Sequence, residues 1–281
     1  MPEHDMTEAG KAPAEDAAYG GALIPERLCG NTDTGLLKWI ALATMVVDHV
    51  GALFFPDVPG LRIIGRIALP LYAWCLVVGC SRTRSMPRYI LRLFICAVIS
   101  QPLYALALGH PLTHLGIMFQ LTNAALAVWG IRANRCGSRF WAPALVLAGT
   151  CFLDIDYGWQ CIAFILLLYL ARKDRRALIL AYIAWALYWG SMYVMYSDFF
   201  GIKLQFLYWP YLKTIIQPFF RLQALIWLAL PLIVCKTHSQ VRMPKWLGYS
   251  LYPLHLVLLT VINVMAGTPF SEMVRTMLAV K

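Results

Sequence analysis

The sequence predicts an all-α polytopic membrane protein with about nine transmembrane helices, one interfacial or re-entrant segment, and its N-terminus inside the cell. Three observations lead to this fold class. Hydrophobic residues make up 60% of the 281 residues and charged residues only 14%, which leaves too little polar surface to cover a soluble globule. Apolar stretches approach the length of about 20 residues that spans a bilayer. Lysine and arginine collect in every second loop, as they do in cytoplasmic loops of membrane proteins.

Nine apolar stretches are predicted to form spanning helices, and two of them are short. The short pair meets at a boundary that contains Asp154, Asp156 and Gly158. A further stretch, 198–217, is amphipathic and interrupted by proline, which suits an interfacial or re-entrant segment better than a span. The nine predicted spans are 36–55, 61–81, 89–108, 114–131, 141–155, 157–171, 177–196, 218–235 and 247–266.

The distribution of charge sets the predicted orientation of these helices. Basic loops follow the second, fourth, sixth and eighth spans, whereas the alternate turns hold acidic residues such as Asp57, Asp154 and Asp198. Since basic loops stay in the cytoplasm, the N-terminus is expected inside and the C-terminus outside. The net charge of +10 therefore reflects topology, and we expect no nucleic-acid partner.

The chain divides into three predicted regions. Residues 1–34 hold seven acidic residues with many Ala, Gly and Pro, and lack the apolar core of a signal peptide, so a disordered acidic tail is expected. Residues 35–267 form the transmembrane domain, and 268–281 form a short C-terminal tail. The eight cysteines show no paired metal-ligand spacing, so we predict buried thiols and no metal site.

The first predicted span, "LLKWIALATMVVDHVGALFF", carries three polar groups that are costly inside a membrane. Lys38 and His49 are eleven residues apart, which places them within about 20° on one helix face and roughly 16 Å apart along the axis. Asp48 points elsewhere, so another helix must pair it. A lysine that snorkels to the interface is the simpler interpretation of Lys38.

Other spans supply possible partners for these groups. Arg62 and Arg66 lie four residues apart near the start of the second span, where an Asp–Arg network could orient His49 or serve only as a structural ion pair. His255 lies in the last span, three residues after Tyr252. Two function classes fit: an acyltransferase in which His49 is the general base or acyl carrier, and a small-molecule transporter using the same Asp/His/Arg path.

Six segments resemble the TraX family, integral-membrane proteins named for the N-terminal acetylation of conjugative pilin. The resemblance covers roughly residues 36–260. Its most specific parts are the DH of the first span, the GR…P of the second, the DYG and the YPLH of the last. The segments are "LKWIALATMVVDHVGALFFP", "LRIIGRIALPLYAW", "GCSRTRSMPRYILRLFICAVISQPLY", "IMFQLTNAALAVWGI", "DIDYGWQCIAFILLLYLAR" and "LGYSLYPLHLVLL". The Lys-x10-His spacing and "SLYPLH" also resemble larger membrane enzymes that O-acetylate bacterial surface sugars.

This resemblance implies a multi-pass protein of the bacterial cytoplasmic (inner) membrane. It also implies acyl transfer with acetyl-CoA as the donor, so that 35–267 is an acyltransferase-like domain. The acceptor would be a protein N-terminus, a surface glycan or a small molecule. Family motifs fall on Lys38, Asp48, His49, Gly65, Arg66, Pro70, Asp156, Tyr252 and His255. The catalytic residues expected are His49, Asp48, Arg66, Asp156, Tyr252 and His255. The phosphates of acetyl-CoA are expected to bind Lys38, Arg82, Arg84 and Arg88 on the cytoplasmic face.

Overall fold

A computed structural model describes residues 27–196, 198–210 and 213–279, and the structure in this part of the chain is mostly helical. The helices are α1 Thr34–Phe54, α2 Pro59–Gly65, α3 Ala68–Arg82, α4 Met86–Leu108, α5 Ile117–Ala133, α6 Ser138–Thr150, α7 Gly158–Ala171, α8 Arg175–Gly190, α9 Lys213–Ile216, α10 Leu230–Val234, α11 Lys245–Met265 and α12 Phe270–Leu278. Three 3₁₀ segments lie at Gln205–Tyr208, Gln217–Phe220 and Ala224–Ala229, and β1 Asp198–Phe199 pairs antiparallel with β2 Ile202–Lys203.

Among the described residues, four segments are long and apolar enough to cross a membrane. They are Thr34–Phe54, Pro59–Arg82 (α2 and α3 together), Met86–Leu108 and Trp246–Met265. The prediction of nine spans is therefore not confirmed. The other predicted spans coincide with shorter helices, because turns interrupt apolar stretches that hydropathy reads as continuous. Helix α6, for example, has 13 residues, or about 20 Å, which is short of a hydrocarbon core of about 30 Å.

The stretch 198–217 does not form one continuous helix in its described residues. It consists of the β1–β2 hairpin, a 3₁₀ segment and the four-residue helix α9, each too short to cross a bilayer. This irregular structure agrees with the expectation that the stretch is not a simple span.

The N-terminal segment packs further upstream than we expected. Residues 1–26 of the predicted tail lie outside the described residues, but Leu28 and Asn31 are buried, so the expectation of disorder up to residue 34 is wrong for this part. The Asn31 side chain donates to the carbonyl of Leu232 (3.0 Å), and the main-chain carbonyl of Asn31 accepts from the indole nitrogen of Trp74 (2.6 Å). These bonds satisfy buried peptide groups, which favours an ordered segment over a solvated tail.

The C-terminal region also has defined structure. Residues 270–278, expected as a short tail, form α12, which packs against α4. The carbonyl of Met277 accepts a hydrogen bond from the Leu112 backbone amide at 2.9 Å.

Helix α3 lies at the centre of the bundle. Twelve of its 15 residues are buried, and the fully buried Leu71, Ala73 and Trp74 belong to the main core. Helices α1, α5 and α7 pack around it, while α11 packs mainly on α4. Because α11 and α1 have much of their surface outside the core, both can face lipid with their apolar sides.

The predicted orientation can be tested by cysteine labelling. In a variant that lacks the native cysteines, a cysteine at position 85 should react with a membrane-impermeant maleimide only from the cytoplasm, and one at position 57 only from outside, because arginines flank the first position and Asp57 occupies the second. Reactivity of both positions from the same side would contradict a crossing between them, and reversed sides would invert the bundle.

Candidate active site

A cavity of about 450 Å³ runs along the inside of the bundle, between α1, α3, α4, α5 and α11. Its basic end is formed by Lys38, Arg82 and Arg92. We call the opposite end the histidine end; its walls include Asp48, His49, Asp156 and Tyr252. Mostly apolar side chains line the wall between the two ends, including Leu42, Met45, Tyr72, Cys75 and Leu121.

Helix α1 presents one face to this cavity. Lys38, Leu42, Met45 and His49 all line it, and their spacing of four, three and four residues is that of a single helix face. The prediction that Lys38 and His49 share a face is therefore confirmed. The structure adds that the same cavity reaches both of them.

Asp48 is paired by two arginines, one in α2 and the other directly after it. Nη2 of Arg66 donates to both carboxylate oxygens, at 2.8 and 3.0 Å, and Nη1 of Arg62 lies 2.9 Å from Oδ2. Gly65 makes this approach possible, since a Cβ there would lie 2.1 Å from Oδ1 of Asp48. The expected pairing of Asp48 by another helix is confirmed.

Arg66 has a different position from the one we expected for a group that stabilises reaction charge. It is buried, and its guanidinium is committed to Asp48 and to Oε1 of Gln223, which accepts from Nη1 at 3.2 Å. Arg66 does not belong to the described cavity wall. These contacts hold Asp48 in place, and the part of Arg66 in stabilising reaction charge stays a prediction.

His49 contacts His255 where we had expected a carboxylate to hold it. Nδ1 of His49 lies 3.3 Å from Nε2 of His255, and the two rings stack with centroids 5.3 Å apart and an interplanar angle of 16°. Tyr252 packs edge-on against His255, with centroids 5.2 Å apart. The two deep histidines identified in the sequence thus form one pair, with His255 outside the cavity wall and behind His49.

Hydrogen-bonding rules assign the tautomers of this pair. Nδ1 of His255 lies 3.3 Å from the carbonyl oxygen of Leu251, which can only accept, so this nitrogen carries the proton. In a neutral imidazole Nε2 of His255 is then an acceptor, and Nδ1 of His49 is the donor to it. This leaves Nε2 of His49 as an unprotonated nitrogen, the form that a general base requires.

Asp156 reaches the histidine end from the loop before α7. The Tyr104 hydroxyl donates to its Oδ2 at 3.0 Å, and the Gln120 side chain donates to the main-chain carbonyls of Asp156 and Gly158. Nothing in the sequence pattern marked Tyr104 for this role. Through its two bonds, Gln120 of α5 holds the loop before α7 in place.

The basic end differs in part from the prediction. Lys38 and Arg82 line the cavity as expected, whereas Arg84 and Arg88 are exposed and lie outside its described wall. Nε of Arg88 instead donates to Oγ of Ser85 at 3.3 Å. Arg92, one turn after Arg88 on α4, lines the cavity instead. The sequence alone did not single out Arg92, because the packing of α4 decides which of its residues reach the cavity.

Comparison with known proteins identifies one family and two relatives. The sequence profile of the family described as "TraX protein" matches residues 33–263. A relative named "Probable fimbrial assembly protein FimC, serogroup H1", from Dichelobacter nodosus, is 30% identical over 161 residues, 52% of this chain and 66% of the relative. The uncharacterized protein RP591 of Rickettsia prowazekii (strain Madrid E) is 29% identical over 146 residues, 50% of this chain and 56% of the relative.

This chain thus spans about two thirds of the first relative and just over half of the second. No solved structure matches it. The family profile covers most of the described helices and all six candidate catalytic residues, and on this basis the chain belongs to the TraX family.

Proposed function

We propose that this protein is a membrane-bound acetyltransferase of the bacterial cytoplasmic membrane, which moves an acetyl group from acetyl-CoA to an amine or hydroxyl acceptor. The observation that supports this proposal most strongly is the single cavity whose two ends carry different chemistry. Cations that suit phosphates lie at one end, and a histidine with a free Nε2 lies at the other.

The basic end suits the nucleotide part of the donor. Within the described residues, Lys38 has no ion-pair partner within 4.0 Å, so its charge is available to a ligand. Arg82 and Arg92 face the same space. A donor whose phosphates bind there can extend its thioester arm along the apolar wall toward His49, which lies roughly 16 Å further along α1.

The histidine end suits the transfer step. Nε2 of His49 takes the proton from the acceptor as its nitrogen or oxygen bonds to the acetyl carbonyl carbon. Tyr252 stabilises the oxyanion of the tetrahedral intermediate. When the carbon–sulfur bond breaks, CoA leaves as the thiolate and takes up the proton from His49. His255 accepts from Nδ1 of His49 throughout, which keeps the base in its reactive tautomer.

The family supports a pilin-like acceptor. The TraX family is linked in general to pilin acetylation, and the relative from Dichelobacter nodosus bears the name of a fimbrial assembly protein. A protein N-terminus is therefore the first acceptor to test, before surface glycans and small molecules. A small-molecule transporter is the second candidate function, because a cavity that connects two polar ends also suits a transport path.

Labelled acetyl-CoA distinguishes these two functions. Membranes that contain the protein should release CoA and leave acetyl label on an acceptor, which mass spectrometry of the labelled fraction identifies. Uptake of an unchanged compound without release of CoA would instead support transport. Membranes without the protein serve as the blank for other acetyltransferases.

The two ends of the cavity should contribute to different kinetic constants. Lys38→Ala should mainly raise the KM for acetyl-CoA, whereas His49→Ala should lower kcat by about 10² to 10⁴-fold, the usual contribution of a positioned general base. Lys38→Arg should retain much of the donor affinity, since phosphate binds either cation. Arg84→Ala is the matched control, because Arg84 lies outside the described wall, and it should leave the KM unchanged.

If Lys38→Ala lost as much kcat as His49→Ala while its affinity for the donor stayed unchanged, Lys38 would act in the reaction centre or be needed for folding. Wild-type turnover by His49→Ala would remove the proposed base.

His255 should matter for turnover and not for donor binding. His255→Phe keeps an aromatic ring against His49 but cannot accept its Nδ1 proton, so kcat should fall by less than in His49→Ala while the KM for acetyl-CoA stays the same. Steady-state kinetics of the purified variant measure both constants. Unchanged kcat would show that the contact between the two rings is only packing.

A further inference from the structure

A second group of ionisable residues adjoins the histidine end and has no role in the transfer step described above. It lies where the α4–α5 loop meets the α6–α7 loop, which are joined by a parallel bridge between Leu115 and Ile155. His114 comes from the first loop, and Asp154 and Asp156 come from the second. Asp156 also lines the cavity, so this group connects the surface to the candidate active site.

Both ring nitrogens of His114 face a carboxylate. Nδ1 lies 2.7 Å from Oδ1 of Asp154, and Nε2 lies 3.7 Å from Oδ1 of Asp156. A carboxylate can only accept, so an imidazole satisfies both sides at once only when both of its nitrogens carry protons. The geometry therefore favours the imidazolium, and the adjacent carboxylates of Asp156 and Asp154 raise the pKa of His114 above the usual value.

The surroundings of Asp156 explain why this imidazolium affects the cavity. One carboxylate oxygen accepts from the Tyr104 hydroxyl at 3.0 Å, and the other faces His114. The main chain of Asp156 is held as well, since its amide donates to the carbonyl of Leu115 at 2.9 Å. Among the contacts described for the Asp156 carboxylate, His114 is thus the titrating group that approaches it from the α4–α5 loop.

We propose that His114 is a positioning residue, which as an imidazolium fixes the Asp156 carboxylate at the histidine end of the cavity and makes acetyl transfer depend on its own charge. This inference rests on the proposed function for its effect on turnover. Loss of a proton from the His114 imidazolium leaves a nitrogen lone pair that faces a carboxylate, so this nitrogen and the carboxylate repel each other. Asp156 then loses its fixed position in the cavity wall, from which its charge acts on the proposed base His49.

Other ionisable groups surround His114. The His110 ring, on the same loop, lies 4.7 Å away between centroids and is tilted by 35°, and the Tyr104 ring of α4 lies 6.2 Å away. Asp154 and Asp156 are the acidic groups of the α6–α7 loop. Helix α12 packs nearby through Met277, and its Glu272 and Arg275 are exposed.

The dependence of kcat on pH tests this proposal. Turnover of labelled acetyl-CoA would be measured from about pH 5.5 to about pH 9, on both sides of the ordinary histidine pKa near 6.5. The wild type should lose kcat as pH rises through the raised pKa of His114, with the KM for acetyl-CoA unchanged. His114→Gln should show a kcat lowered by up to about 10²-fold on the acid side, without that alkaline loss.

Two further variants sharpen the result. His114→Arg keeps a permanent cation and should restore kcat and hold it at alkaline pH. Asp154→Asn removes one of the groups that raise the pKa of His114, so the alkaline loss should begin at lower pH. His238→Gln changes an exposed loop histidine and is the control, with the profile of the wild type. An alkaline loss that persists in both His114→Gln and His114→Arg overturns the proposal.

Thermal unfolding gives a readout that does not depend on acetyl transfer. Since the folded pKa of His114 is raised, its stabilisation is complete below the ordinary histidine pKa and is lost as pH rises through the folded value. The Tm of the wild type should exceed that of His114→Gln by roughly 2–4 °C at the acid end, and the gap should close at alkaline pH. If the wild type transfers no acetyl group, the proposed function fails, while a pH-independent gap in Tm overturns the imidazolium contact itself.

Discussion

The buried ion pair between Asp48 and Arg66 is the constraint on which the histidine end depends. Both side chains are removed from solvent, and an unpaired charge at that depth would be too costly to retain. Removing one partner from such a pair typically costs about 3–5 kcal/mol, because the other charge remains buried. The pair therefore fixes α1 against α2, and Gly65 permits the close approach. His49 follows Asp48 directly, so its direction toward the cavity is set by the same contact.

Under the proposed function, this arrangement separates donor binding from acetyl transfer along one helix. Lys38 and the proposed base His49 face the same cavity but lie three turns apart, too far to contact the same atom. A donor that is long, anionic at one end and reactive at the other uses such a cavity in full. Asp48 is neutralised by two arginines, whereas Asp156 faces the cavity with a hydroxyl and an imidazole beside it, so the two carboxylates at this end have different roles.

Much of this organisation could be predicted from the sequence, because helix periodicity and the cost of a buried charge can be judged from a short segment alone. They predicted the shared face of Lys38 and His49 and the pairing of Asp48 by another helix, for which the arginines of the next span were possible partners. The contact between His49 and His255 could not be predicted, since 206 residues separate them and the packing of α11 decides it. Gln223 and Arg92 were missed for the same reason. Nine spans are not confirmed, since the described residues contain four helical segments that are long and apolar enough, and apolar turns such as the one after Thr150 do not lower hydropathy.

The most direct test of the account is whether the thioester arm of the donor occupies the cavity between the two ends. Leu42 lies on the cavity face of α1 between Lys38 and His49, and a variant without native cysteines but with Leu42→Cys places one thiol there. The rate at which a small methanethiosulfonate modifies this thiol would be measured with acetyl-CoA or with adenosine 3′,5′-bisphosphate, which lacks the arm. The account predicts protection by acetyl-CoA and little by the bisphosphate. Equal modification rates with and without acetyl-CoA, at concentrations that saturate turnover, would contradict it.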